Sequence, residues 1–107
     1  MAEITTTSYD EVLDVNARGT FFVTSEAAKR MIAQEELSVT GRNGTRNIGR
    51  GSIVILSSAS ALWPLPGGTP YNTSKHAAIG ITRSASKQTT HMQERILDSS
   101  VFLSSRF

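Results

Sequence analysis

The amino-acid sequence predicts an α/β fold, read as helix, strand, helix, on three observations. Val12, Val15, Gly19, Phe22, Val23, Ala27 and Met31 recur at spacings of three and four, a helical stripe that runs to about Gln34. Ser52-Ile53-Val54-Ile55-Leu56 is an apolar run of strand length, bounded by Gly51 and by Ser57-Ser58. From Tyr71 a second helical pattern carries Ala77, Ala78, Ile81 and Ala85, small apolar residues that allow another helix to approach closely. With 107 residues the chain forms at most one domain, divided into helix 8–36, loop 37–50, strand 52–57, loop 58–70, helix 71–90 and tail 91–107.

Each element has its own signal. Ser8-Tyr9-Asp10-Glu11 has the form of a capping box, a hydroxyl followed three residues later by a carboxylate, and starts the first helix. Gly19 inside that helix costs about 1 kcal/mol against alanine, which predicts a close packing contact there. Asn16 lies beside the stripe, and periodicity alone places it on the exposed side. Residues 37–50 are rich in turn formers and predict a long connection. Thr40-Gly41 with Gly44 imitates a phosphate-cradling glycine loop, but the further glycine positions hold Thr45 and Asn47 and the segment precedes a strand, so that reading is rejected. Three prolines and the pair Gly67-Gly68 make 58–70 a loop, whose Trp63 and Leu65 either pack or line a substrate mouth. Pro70 suits the entry to the second helix.

Composition narrows the function classes. A hydrophobic share of 38% with 19% charged residues is that of a globular chain and argues against disorder. The net charge is +2, and Arg42, Arg46 and Arg50 stand in a stretch without acidic residues. They have no interleaved aromatics and no continuous basic face, so no nucleic-acid partner is expected. No cysteine is present, which rules out a disulfide framework and a thiolate metal site; no metal is expected. No apolar run of membrane-spanning length and no secretory signal is found, so the expectation is a cytoplasmic protein without a membrane partner. Asn43-Gly44-Thr45 and Asn72-Thr73-Ser74 match the glycosylation pattern by chance in such a setting.

The chemistry is concentrated at Tyr71 to Lys75, where a spacing of four puts a phenol and an ammonium on one helix face, about one turn apart. A free tyrosine, with a pKa near ~10, is a poor acid or base at neutral pH. A cation about 5 Å away favours a phenolate by on the order of 3 kcal/mol at an effective dielectric near ~20. Such a pair turns up by chance in ordinary chains, and Ser58 strengthens it. That serine stands at the carboxyl end of the predicted strand, where open α/β sheets hold ligands, so Ser58 and Tyr71 are expected to meet over one substrate.

Gly51-Ser52-Ile53-Val54-Ile55-Leu56-Ser57-Ser58, then Tyr71-Asn72-Thr73-Ser74-Lys75-His76-Ala77-Ala78-Ile79-Gly80-Ile81-Thr82-Arg83, resembles the catalytic segment of the short-chain dehydrogenase/reductase family. Asp14-Val15-Asn16-Ala17-Arg18-Gly19-Thr20-Phe21 resembles the helix before it, which carries an active-site asparagine. The likeness covers roughly residues 5 to 87 and keeps the family's order and spacing. It implies part of a doubly wound parallel sheet, a Rossmann-like fold, and an NAD(P)-dependent oxidoreductase interconverting alcohols and ketones or aldehydes. In that family Tyr71 would exchange the proton with the carbonyl oxygen and Ser58 would hold that oxygen. Lys75 would favour the ionised phenol, Tyr71 and Lys75 would contact the cofactor, and Asn16 would support the chain of waters that resupplies the proton.

The sequence departs from the family in lacking the strand and glycine-rich turn that bind the cofactor pyrophosphate, so neither NAD nor NADP is selected. After Lys87 the likeness fades: 88–98 shows no clear strand, Ser99 to Ser105 faintly resembles a later helix, and His91 reads as a surface residue. The expectation is a truncated form with little activity alone, and whether it is itself an enzyme stays open. One good strand and two apolar helix faces point to a homo-oligomer or to association with a full-length relative. Two alternatives stand beside it: a non-catalytic, helix-mediated interaction module, and an epimerase or dehydratase of the same fold. Substrate, reaction direction and the origin of the tail are not legible.

Overall fold

The structure is a computed structural model that describes residues 4–89 and 95–98. Helix α1, Thr6–Leu13, runs through a π-helical turn, Asp14–Arg18, into α2, Gly19–Ala33. A hairpin of β1, Leu37–Gly41, and β2, Gly44–Gly49, leads to β3, Ser52–Ile55. A 3₁₀ turn, Ala59–Ala61, precedes α3, Thr69–Thr89, which returns the chain to β4, Arg95–Asp98. Strand β4 pairs parallel with β3 in the register Ser52↔Arg95 to Ile55↔Asp98. The order β3–α3–β4 is thus a helical crossover between parallel strands, the unit from which doubly wound sheets are assembled. Of the tail, His91 and Ser99 to Ser105 lie outside the described residues.

Several boundaries differ from the sequence reading. The first helix is capped by Thr5, whose Oγ1 accepts from the Ser8 backbone N–H at 3.2 Å, not by Ser8. The hydroxyl run Thr5 to Ser8 offers the backbone an earlier cap, and Ser8 Oγ in turn donates to the Thr5 carbonyl at 2.9 Å. The helix ends at Ala33 rather than 36, where Gln34 turns extended. Gly19 marks no close approach of another element: its N–H closes the π turn onto the Asp14 carbonyl, and an added Cβ would meet only that oxygen, at 3.7 Å.

Residues 37–50 form a hairpin where a loop was expected. The signal is Asn43-Gly44 between two β-prone runs, with Gly44 at φ 96°, the left-handed conformation such a turn needs. Thr40 and Thr45 face each other across the ladder, with their hydroxyls 2.8 Å apart. Gln34 and Arg50 close its base through side chain to carbonyl bonds in both directions, and Arg50 pairs with Glu36 at 3.8 Å. The strand β4 corrects the expectation that 88–98 continues into no strand. Four residues are too few for a period to show, and pairing with β3 decides their conformation.

The core lies between β3 and α3. Ile55, 6% exposed, meets Ala78, 2% exposed, with Ile53, Ile81 and Ala85 packed around them. Of the predicted stripe on the first helix, Met31 is buried while Val15, Phe22 and Val23 are exposed. Val54 and Leu56 are exposed as well, so the opposite face of β3 is bare. Among the described residues no helix is long and apolar enough to cross a membrane, and no group of three His, Cys, Asp or Glu could hold a metal ion.

Where β3 begins, Gly51 adopts φ 153°, and an added Cβ would fall 2.4 Å from the Met31 methyl. Gly51→Ala is expected to destabilise the chain by about 1 kcal/mol or more, since both the backbone and the buried thioether must shift. Urea unfolding followed by circular dichroism checks it; an unchanged midpoint would contradict the contact.

Candidate active site

The site is built where β3 ends and α3 begins. Beyond Ile55 the chain runs through Leu56 and Ser57 to Ser58, which is extended with φ and ψ of −156° and 155°. Ser58 Oγ accepts from the Ser60 N–H at 3.1 Å and caps the 3₁₀ turn. Its neighbour Ser57 donates from Oγ to the Lys75 carbonyl at 2.9 Å, clipping α3 to the end of the strand. The Lys75 ammonium reaches back over the same junction. Nζ lies 3.5 Å from the Leu56 carbonyl oxygen and 5.5 Å from the centre of the Tyr71 ring. Among the described residues no carboxylate pairs with it.

Tyr71 sits in the first turn of α3 and is 40% exposed. Its phenol makes no hydrogen bond among the described residues, and none joins it to Ser58. The helix start is fixed by Asn72, a buried side chain that the sequence reading set aside. Its Nδ2 donates to the Leu65 carbonyl at 2.9 Å and its Oδ1 accepts from the Leu65 N–H at 3.4 Å. The Asn72 N–H donates to the Gly68 carbonyl at 2.8 Å. The proline-glycine loop is thereby folded onto the first turn, leaving Trp63 and Leu65 exposed rather than packed in the core. The available signal was an amide one residue past Tyr71, where a side chain can satisfy both backbone groups of one residue.

Asn16 comes to this site from the other helix. It is half-buried in the π turn, not on an exposed face, and its Nδ2 donates to Ser74 Oγ at 3.1 Å. Ser74 Oγ donates to the Tyr71 carbonyl at 2.8 Å. The Asn16 carbonyl accepts from Thr20 Oγ1 at 2.6 Å. The structure therefore ties the Asn16 side chain to the backbone carbonyl of Tyr71 through Ser74, while Lys75 is held separately by Ser57 and Leu56, with Ser58 next to the serine that clips it. Away from it, a cavity of about 460 Å³ lies between α2 and α3, lined by Phe21, Ala28, Ile32, Ile81 and Ala85.

A tyrosine and a lysine one turn apart thus stand at the carboxyl end of a parallel strand, the place where open α/β sheets hold ligands. The chain belongs to the short-chain dehydrogenase/reductase family: residues 1–97 match the family model described as short chain dehydrogenase. It is 39% identical over 85 residues to the short-chain dehydrogenase fogB of Aspergillus ruber and 36% identical over 85 residues to the short-chain dehydrogenase srdC of Neurospora crassa, covering 79% of this chain in each case. It is 32% identical over 88 residues, 82% of the chain, to the bovine dehydrogenase/reductase SDR family member 4. The chain spans 31% of the length of the two fungal relatives and 26% of the bovine one. No solved structure gives a significant match. The fold is accordingly part of an α/β, doubly wound, Rossmann-like architecture.

Proposed function

We propose that the chain carries the proton-transfer half of an NAD(P)-dependent oxidoreductase that interconverts a small alcohol and its carbonyl compound. The observation that carries the reading is the Lys75 ammonium 5.5 Å from the Tyr71 ring, at the end of β3 and without a carboxylate partner among the described residues. A partly exposed phenol beside an unneutralised cation is suited to give a proton to a carbonyl oxygen or to take one from an alcohol. Ser58, whose Oγ–H is left to donate while Oγ caps the 3₁₀ turn, would hold that oxygen. Asn16 would keep the proton supply in register with α3, and the substrate is a small molecule with an alcohol or carbonyl group.

The residues fit one end of a nicotinamide dinucleotide. Lys75, with two further N–H groups beyond its bond to Leu56, and the Tyr71 hydroxyl would hold the ribose hydroxyls next to the reacting carbon. When bound, that cofactor supplies or accepts the hydride. No glycine-rich strand-to-helix turn for the pyrophosphate occurs among the described residues, since Gly41 and Gly44 flank a hairpin tip. Binding by this chain alone is therefore weak in this reading, no described residue selects NAD over NADP, and a cytoplasmic location is proposed with it.

Titration of NADH and NADPH into the purified chain, read by nicotinamide fluorescence with circular dichroism as the check on folding, tests this. Binding that saturates only at millimolar nucleotide and is lost in Lys75→Met is the expected result. A folded chain with no Lys75-dependent binding would instead favour a non-catalytic interaction module. Exposed Phe21, Phe22, Val23, Val54 and Leu56 support that second reading, and the cavity between α2 and α3 supports association through the two helices, as a homo-oligomer or with a full-length relative.

A further inference from the structure

Ser74 is the one fully buried side chain of any size among the described residues, at 0% exposure, and it is polar. A hydroxyl taken out of water without partners loses free energy, and alanine would fill the same space with better helix propensity. What serine adds is the pair of bonds made by its oxygen. Oγ–H donates to the Tyr71 carbonyl three residues back, at 2.8 Å, which fixes the rotamer. A lone pair of the same oxygen accepts from Asn16 Nδ2, at 3.1 Å, across 58 residues of sequence.

Asn16 needs such an anchor. It stands in a π-helical turn, where the helix is wider than an α-helix and its backbone bonds run to the fifth residue, so local geometry specifies its side-chain direction poorly. Thr20 Oγ1 holds its carbonyl at 2.6 Å and Ser74 holds its amide, so backbone and side chain are fixed from opposite ends. The far end of the Ser74 bond lies on Tyr71 itself, and Lys75 is the next residue in the chain. We infer that Ser74 is a positioning residue, which locks Asn16 of the π turn onto the Tyr71–Lys75 turn of α3 so that the two helices present their polar groups as one unit. Its catalytic meaning rests on the oxidoreductase reading; the coupling itself does not.

Two readouts on the whole chain separate these. The first is the side-chain amide pair of Asn16 in ¹⁵N-labelled protein. Ser74→Ala is expected to shift both amide protons and speed their exchange with water, whereas Thr82→Val leaves them in place. Thr82 is a fair control because it is a buried hydroxyl on the same helix, back-bonded to the Ala78 carbonyl at 2.8 Å. The second is NADPH-dependent reduction of 4-nitrobenzaldehyde. Ser74→Ala is expected to lower kcat about tenfold with KM for NADPH little changed, Asn16→Ala to do the same, and the double variant to lose no more than either. Additive losses, or an equal loss in Thr82→Val, would overturn the positioning role. A chain that does not reduce the probe leaves the oxidoreductase reading to the nucleotide titration above. The amide spectrum then decides alone, and an Asn16 pair unmoved by Ser74→Ala overturns the inference.

Discussion

Tyr71→Phe is expected to lower NADPH-dependent reduction of 4-nitrobenzaldehyde by roughly 10²- to 10⁴-fold, the usual contribution of a positioned acid–base group. The substitution removes one oxygen and leaves the ring. That oxygen makes no hydrogen bond among the described residues, and the side chain is 40% exposed, so the fold has little to lose. Nucleotide binding is expected to fall less than turnover, because Lys75 keeps its place: its carbonyl is held by Ser57 and its ammonium by the end of β3. Lys75→Met is expected to show the opposite balance, with binding and turnover both lost. A Tyr71→Phe protein that retains most of the wild-type rate, at unchanged helicity by circular dichroism, would remove Tyr71 from the chemistry.

Much of this was legible in the residues, and the limits have physical causes. The strand Ser52–Ile55 and the helix from Thr69 are visible because a short run of β-branched apolar residues favours a strand and a helix repeats every three to four positions, although only Ile55 of that strand is buried. Asn16 shows how far periodicity reaches. Its position beside an apolar stripe suggested exposure, and only the family resemblance suggested an interior role; the π turn is what rotates it towards α3. The hairpin was missed although Asn43-Gly44 marks it, because its flanking runs alternate weakly and arginines interrupt them. Strand β4 could not be read at all, since a parallel partner is chosen by tertiary pairing. Ser57, Asn72 and Ser74 were visible as members of a motif, yet their work lies in hydrogen bonds between segments distant in sequence, which spacing does not encode.

Ile55→Ala is expected to abolish cooperative unfolding of the chain. Removing a buried isoleucine's outer carbons costs about 2–5 kcal/mol, against a total stability on the order of 5–15 kcal/mol for an ordinary domain. This chain has less in reserve. Among the described residues its hydrophobic cluster lies between β3 and α3, where Ile55 supplies the large side chain and Ala78 and Ala85 supply the close approach. The cavity has no second layer to collapse into, because α3 is held in place by the Ser57 clip and by the Asn16–Ser74 bond. Val54→Ala is the comparison: it is adjacent in sequence, points to the other face of the strand, and is 58% exposed, so a change within about 0.5 kcal/mol is expected. Urea titrations followed at 222 nm compare the two. Equal effects would mean that the bare face of β3 is covered in solution, by another copy or another segment, and that Val54 is then as much a core residue as Ile55.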